Sequence, residues 1–336
     1  VQTINSYSLQ LVAMFHVGTH LRAAVRNTAL PLRANRSVLA KPRTLATSQQ
    51  LQGLPKSRIE ALVTDAHVQQ LHNDGAICLR GVFGSEWVEA LRKAAEMNMA
   101  CPGPLCDEHA AAAGTGGRFH DDQFLWLRHD DFRAFVLQSG AGALAARAMK
   151  SDKACMFYDQ LLVKEPGTSA PTPWHNDTSY WHLKGSQICS TWIALDHVSA
   201  STGVKYVRGS HKWNLLHAIT NFSGADHSNK NTYDGQEGLS PVPDIQAGVA
   251  SGKYELLSWE MEPGDLLVFF SATMHGAPGN SATSRRRGYA CRWLGDDVTF
   301  DPRPGTMNEG WTKAGYDNGL AAGAAMECAL HPNVVV

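Results

Sequence analysis

Pro263-Gly264-Asp265-Leu266-Leu267-Val268-Phe269-Phe270-Ser271 opens on turn formers, continues as five unbroken apolar residues and runs out into Ala272-Thr273-Met274-His275-Gly276. A run this short, bounded by turn residues, fits a buried strand better than a helix. Runs of the same β-prone texture recur at 153–164, 188–198, 204–208, 254–261 and 286–294. Gly, Pro, Ser and Asn punctuate them, and no repeat of roughly 20–50 residues is visible. The pattern predicts a mainly β protein with flanking helices, its core a double-stranded β-helix of the jelly-roll, cupin-like type.

Upstream, the period changes. Ile59, Leu62, Val63, Val68 and Leu71 approximate one helical stripe, Asn73-Asp74-Gly75 breaks it, and Ala76 to Arg80 reads as a short strand. Ser85 is the expected N-cap of a second helix, and 131–149 is expected to be helical. Residues 101–121 are rich in Gly, Ala and Pro and read as a mobile loop; 213–253 is polar, weakly patterned and a candidate lid or insertion. The expected organisation is one domain over 59–336, with a helical scaffold at 59–150, the jelly-roll core at 151–300 and a C-terminal extension at 301–336.

With 336 residues, 43% of them hydrophobic and 18% charged, the chain can bury a sizeable core, which excludes a disordered or fibrous protein. Its net charge of −1 is a cancellation: residues 1–59 hold eight Lys or Arg and no acid, which leaves a balance of −9 for the rest. An acidic body disfavours nucleic acid as a partner. The basic, Ser-rich, acid-free segment 1–58 is expected to be a mitochondrial or plastid presequence, cut near 43–58, or else a disordered basic tail of a cytoplasmic protein. No apolar stretch approaches the roughly 20 residues of a membrane span. Seven cysteines at irregular spacing fit reduced thiols, and Cys101 and Cys106 lack a second pair to complete a zinc site.

The chemistry-bearing segment is Thr172-Pro173-Trp174-His175-Asn176-Asp177-Thr178-Ser179-Tyr180-Trp181-His182. His175 and Asp177, two apart in an extended stretch, present an imidazole and a carboxylate to one face. His275 follows 98 residues after Asp177, where the apolar strand ends. Two histidines and a carboxylate are the facial triad of non-haem iron(II) oxygenases, which leaves positions open for a bidentate cosubstrate and dioxygen; zinc prefers a closed tetrahedral set. His182, His197, His211 and His217 lack a comparable carboxylate and read as surface or satisfied core histidines. Eleven residues beyond His275 stands Arg286, within Arg285-Arg286-Arg287. Period-2 alternation puts Arg286, Gly288, Ala290 and Arg292 on one face, suited to meeting a carboxylate inside a crowded barrel, with Arg285 and Arg287 outward. The bland alternative is a solvated positive edge. Arg292 is expected either to reach an anionic substrate group or to pair with Asp296 or Asp297.

In this arrangement the chain resembles the phytanoyl-CoA dioxygenase family of iron(II)- and 2-oxoglutarate-dependent oxygenases over about residues 58–305. The resemblance rests on Gln160-Leu161-Leu162-Val163-Lys164-Glu165-Pro166, Trp174-His175-Asn176-Asp177, Thr191-Trp192-Ile193-Ala194-Leu195-Asp196, Gly209-Ser210-His211-Lys212, the series His275-Gly276, Asn280 and Arg286, and Arg292-Trp293-Leu294-Gly295-Asp296-Asp297. It implies that His175, Asp177 and His275 bind Fe(2+), that Arg286 holds the distal carboxylate of 2-oxoglutarate, and that Trp192 and Gln160 line the cosubstrate pocket. It further implies O2-dependent hydroxylation of a small organic molecule or acyl thioester, with release of succinate and CO2. Asp177 stands where a related halogenase would need a small residue. One departure is Ala277, where members often carry a cosubstrate-binding Ser; Thr283 or water is the expected substitute, or the cosubstrate binds more weakly. Tyr180, Trp181, Asp159 and Tyr206 are candidate substrate-pocket residues, Gly209 to Lys212 a barrel-closing turn, and Lys205, Arg208, Lys212 and 285–287 candidate cations for coenzyme A phosphates. The rivals are a cupin-like zinc or manganese isomerase or hydrolase, and an inactive jelly-roll binding protein.

Overall fold

In the computed structural model, which describes residues 51–109, 117–219 and 238–335 of the unit Gln49–Val336, the first third of the chain builds helices where apolar residues recur at helical spacing. α1 (Lys56–Leu62) is followed by α2 (Asp65–Asp74), whose Thr64 hydroxyl accepts from the His67 N–H in a reciprocal capping box. Gly75, at φ 89°, ends α2 in the left-handed region and turns the chain into β1 (Ala76–Leu79). α3 (Ser85–Ala100) starts at Ser85, but Gly84 is its cap and no side chain caps it, so the expected role of Ser85 is not filled. The helix expected over 131–149 is two, α4 (Asp130–Gln138) and α5 (Ala141–Met149), separated at Ser139 and Gly140.

Between these helices the expected loop 101–121 contains β2 (Asp107–Glu108) and the start of β3 (Phe119–Gln123); 110–116 lies outside the described residues. Phe119-His120-Asp121-Asp122-Gln123 carries no apolar alternation, so the strand is invisible to periodicity. Pairing with β4 (Cys155–Lys164) and side-chain partners for its polar groups hold it: Asp122 accepts from Asn98 and Arg128, each at 2.7 Å.

The remaining elements are β5 (Thr172–His175), β6 (Leu183–Lys184), β7 (Ile188–Ala194), β8 (Lys205–Val207), α6 (Ile245–Ala250), β9 (Leu256–Leu257), β10 (Leu266–Phe270), β11 (His275–Ala277), β12 (Arg286–Leu294), β13 (Thr299–Phe300) and α7 (Met307–Lys313). Among the described residues they form a seven-stranded antiparallel sheet ordered β1-β10-β7-β12-β4-β3-β2, a four-stranded sheet β5-β11-β8-β9, and the pair β13-β6. This is the mainly antiparallel jelly-roll architecture that the sequence pattern predicts.

The unbroken apolar texture of β10 has a direct cause. Leu266, Val268 and Phe270 pack with the helices, while Leu267 and Phe269 pack inward with Trp192, Ala290 and Tyr206 from β7, β12 and the small sheet. A strand covered on both faces has no polar alternation to show. Beyond the barrel, α7 brings Trp311 into an aromatic cluster with Phe157, Tyr158 and Trp181, and Asn333 bridges to Cys155. All seven cysteines are unpaired thiols. No helix among the described residues is long and apolar enough to cross a membrane. The presequence expected at 1–58 and the middle of the 213–253 segment, 220–237, lie outside the described residues, the former up to residue 50.

Candidate active site

β5 and β11 are neighbours in the small sheet, and their register makes His175 and His275 direct Cα partners, with ring centroids 4.2 Å apart. After His175 the chain stays extended at Asn176 and then turns tightly over Asp177–Ser179. That turn is fixed by Ser179, which donates to the Asn176 amide oxygen at 2.7 Å, and by Asn176, which donates to the Leu215 carbonyl at 3.0 Å. It sets Asp177 Oδ1 3.5 Å from His175 Nε2 and 3.9 Å from His275 Nε2. The three ligand atoms lie within 4.8 Å of one another, and the residues are only 4%, 6% and 7% exposed for His175, Asp177 and His275.

Both imidazoles are oriented from behind. His175 Nδ1 donates to the Pro173 carbonyl at 2.7 Å and His275 Nδ1 to the Thr273 carbonyl at 2.9 Å. A carbonyl can only accept, so each Nδ1 carries the proton and each Nε2 lone pair faces the common point. The loop before His275 is itself pinned: Ser210 accepts from the Met274 N–H at 2.9 Å, and Thr273 donates to the Gly75 carbonyl at 2.9 Å. The expected barrel-closing turn at Gly209 to Lys212 therefore also steadies the distal histidine. Burial, with His175 alongside, lowers His275 to about 4, which leaves it neutral. Burial works against the charge of Asp177, yet the carboxyl is held down at about 2, with the Arg292 guanidinium among the groups that keep it ionised.

These groups open onto a cavity of about 250 Å³ whose walls include Gln160, Trp192, Arg286 and Arg292. Arg286 turns inward from β12, is 7% exposed, and donates to the Thr202 carbonyl; among the described residues it has no acidic partner. Its register partner Lys164 is also buried, donating to the Pro278 carbonyl at 3.0 Å and lying 4.3 Å over the Phe119 ring. Arg285 and Arg287 face away, paired with Glu165 and Asp196, both at 2.7 Å, and each also with Glu96. They and Arg208, paired with Asp74 at 2.8 Å, are occupied cations off the cavity wall, and Lys205 and Lys212 are off it too, so of the expected phosphate cations only Arg286 reaches the cavity. Gln160 joins Asp121 at 2.7 Å to Arg292 at 2.5 Å.

Four expectations are corrected. Thr283 is exposed and off the cavity wall; the hydroxyl facing Ala277 belongs to Thr172, its cross-strand partner, which does line the cavity. Arg292 does not pair with Asp296 or Asp297, because those carboxylates accept from Ser151, Asp152, Ser186 and Gln187 at the domain surface. Asp159 lies outside the cavity, buried against the Tyr289 hydroxyl at 2.6 Å and the Trp126 N–H at 2.8 Å. His182 is fully buried and neither ring nitrogen is hydrogen-bonded among the described residues, so there it is neither on the surface nor satisfied. Tyr180, Trp181 and Tyr206 do line the cavity; His197, His211 and His217 stand apart from the metal-ligand cluster.

Sequence reasoning missed Asp107, His109, Asp121 and Gln123, which line the cavity from β2, β3 and the segment between them. Their polar strand carries no pattern that announces it. It also missed a second cluster, Cys106, His120 and Asp122. There His120 is held by Glu108 and Asn98, both at 2.9 Å, and Asp122 by Asn98, Gly103 and Arg128, so the donors are spent on one another.

A jelly roll with two histidines and a carboxylate converging beside a cation-ended cavity defines the architecture of a non-haem metal oxygenase. The family profile described as "Phytanoyl-CoA dioxygenase (PhyH)" matches residues 71–288, and the chain belongs to this oxygenase family. A Caenorhabditis elegans protein described as a probable phytanoyl-CoA dioxygenase is 27% identical over 148 residues, 42% of this chain and 43% of that relative, so the match spans less than half of the relative's length. Among solved structures, the non-heme alpha ketoglutarate dependent carbocyclase SnoK from nogalamycin biosynthesis aligns at TM-score 0.60 and 22% identity, covering 80% of this chain and 96% of its own. The epimerase SnoN, solved with Fe3+, alpha ketoglutarate and nogalamycin RO, aligns at TM-score 0.61 and 18% identity over 83% of this chain and all of SnoN (100%). EctD from S. alaskensis, solved with 2-oxoglutarate and 5-hydroxyectoine, aligns at 0.55 and 14% identity over 73% and 79%. These structures share the fold.

Proposed function

We propose that the protein is an Fe(II)- and 2-oxoglutarate-dependent dioxygenase that hydroxylates a small organic molecule or acyl thioester with release of succinate and CO2. The observation that carries this reading is the pairing of an open His-Asp-His set with a buried guanidinium, Arg286, that no acid among the described residues neutralises. The donor chemistry fits the metal: two Nε2 lone pairs fixed by backbone acceptors, and a carboxylate that stays ionised. Bound iron(II) with 2-oxoglutarate supplies the activation of dioxygen.

The chain's own groups do the rest. Arg286 presents a planar fork to the far carboxylate of a dicarboxylate. Trp192 walls that end of the cavity, and Thr172 offers the hydroxyl that Ala277 lacks. Phe269 and Tyr206 pack on His275 at centroid distances of 5.0 Å and 5.7 Å and keep solvent from one side of the ligand set. A cupin-like isomerase or hydrolase has no need of Arg286. Import into mitochondria or plastids is part of the proposal, from the leader's composition alone; residues 14–60 fused to a fluorescent reporter test it, and a diffuse signal rejects it.

Anaerobic titration of the protein with iron(II) and 2-oxoglutarate is the test. A weak visible charge-transfer band is expected, abolished in Asp177→Ala and His275→Ala and much weakened in Arg286→Ala. No band, or one that survives the ligand substitutions, rejects the assignment.

A further inference from the structure

Arg292 is the one inward-facing cation of β12 that the proposed use of 2-oxoglutarate leaves without a task. It is 5% exposed, its Nη2 donates to Gln160 at 2.5 Å, and its Cζ lies 4.8 Å over the Tyr158 ring. Its Nε and Nη1 are buried with no acceptor among the described residues. Among the described residues no carboxylate reaches it at ion-pair distance: Asp121 is held at one remove through Gln160, and Asp177 acts on it only through space. A buried guanidinium with two idle donors is costly unless an anion completes it.

The placement says which anion. Arg292 pairs in register with Ser190, whose hydroxyl lies 3.5 Å from Asp177 Oδ2, so its fork stands beside the metal ligands. The neighbouring cavity wall is Tyr158, Tyr180, Trp181 and Met307. Arg286 sits six residues upstream on the same strand, about 20 Å of extended backbone away at roughly 3.3 Å per residue. A dicarboxylate anchored at Arg286 and chelating at the metal occupies the space on that side of the ligand set. The space on the other side, between the ligands and Tyr158, belongs to the substrate.

The geometry points to Arg292 as the substrate's carboxylate anchor, which makes the substrate class of this site free organic acids rather than neutral molecules or thioesters. This rests on the oxygenase reading of the site. A thioester carries no anion at its carboxyl carbon, so an acyl-CoA leaves Arg292 uncompensated. Nε and Nη1 lie on different edges of the guanidinium, so a carboxylate pairs with one of them together with the second Nη2 hydrogen, the first being held by Gln160, and this also sets which substrate carbon faces the metal.

The test uses the full chain with iron(II) and 2-oxoglutarate under anaerobic conditions. First, the visible band gives the 2-oxoglutarate affinity of the wild type, Arg292→Gln and Arg292→Lys. Next, thermal shift of each complex is recorded with a panel of aliphatic, aromatic and amino carboxylic acids, each beside its methyl ester. Acids are expected to protect the wild type where their esters do not, with affinity reduced roughly tenfold or more in Arg292→Gln and less in Arg292→Lys, as befits loss of a charge-assisted pair. Affinity for 2-oxoglutarate is expected to fall much less, by about threefold at most, the share that Arg292 contributes through Gln160 and Asp177. A tenfold loss of 2-oxoglutarate affinity instead assigns Arg292 to the cosubstrate and overturns the inference. So does a panel in which no acid outperforms its own ester on the wild type, a comparison that stands even if Arg292→Gln does not fold. Absence of the visible band in the wild type is a separate result and counts against the oxygenase reading.

Discussion

The indole of Trp192 fills the volume that a side chain at Gly288 would need: a Cβ there would lie 1.9 Å from Cζ2 and 2.0 Å from Cε2 of the ring. Glycine at 288 is thus what lets β12 pass behind the cavity wall. Gly288→Ala is expected to push the indole toward Arg286, destabilise the fold by about 1–3 kcal/mol through overpacking and weaken 2-oxoglutarate binding roughly tenfold. Denaturant unfolding and cosubstrate titration check the two effects separately; unchanged affinity would show that the ring has room to move elsewhere.

Removing a ligand should abolish stoichiometric metal binding. Asp177→Ala and His275→Ala are expected to retain background iron only, whereas His197→Ala, at an exposed histidine 3.2 Å from Glu260, should bind like the wild type. Metal content after dialysis distinguishes the three, and equal iron in all of them would remove the proposed centre from these residues.

Lys164 gives stability a pH slope. Burial, reinforced by Arg286, lowers its ammonium from 10.5 to about 6, while the unfolded chain keeps the ordinary value. Between those two pH values the unfolded state binds the extra proton, so this group makes the protein more stable as pH rises from about 6 to 10.5. Lys164→Met should be the more stable protein at pH 7, with its advantage shrinking as the pH climbs; parallel melting curves at all pH values would contradict the shift.

Asp159 slopes the other way. Burial raises its carboxyl from 3.8 to about 7 despite the hydrogen bond from Tyr289. The folded state holds the extra proton in that window, so the contribution is complete below 3.8 and lost as pH rises through about 7. Asp159→Asn should melt at least as high as the wild type at pH 8, and its midpoint should lose this pH dependence. A lower midpoint at pH 8 that follows the wild-type slope would reject the assignment.

The long strands of the large sheet were legible because burial on both faces leaves β10 continuously apolar and gives β4, β7 and β12 apolar stretches on either side of a few polar residues. His175, Asp177 and His275 were legible through spacing and position, and the inward turn of Arg286 through period-2 alternation. The polar wall at Asp121 and His109 was not, since β3 earns its burial from tertiary partners that no local pattern encodes. Asp159 was misplaced because the same alternation that puts Gln160 in the cavity puts Asp159 on the opposite face of β4. Thr172 escaped notice because the pairing that sets it opposite Ala277 is made by residues about a hundred positions apart.

The direct facing of His175 and His275 also bears on how the molecule comes apart. A divalent ion held there would be a clasp closing a long loop, and the closure entropy it offsets grows only slowly with loop length. Stripping the ion should therefore loosen the small sheet first. Amide protons of β5 and β11 are expected to exchange faster in the chelated protein, while those of β7 and β12, locked in the seven-stranded sheet, hardly change. The protein would then carry a local melting step governed by metal supply, distinct from the unfolding of its core.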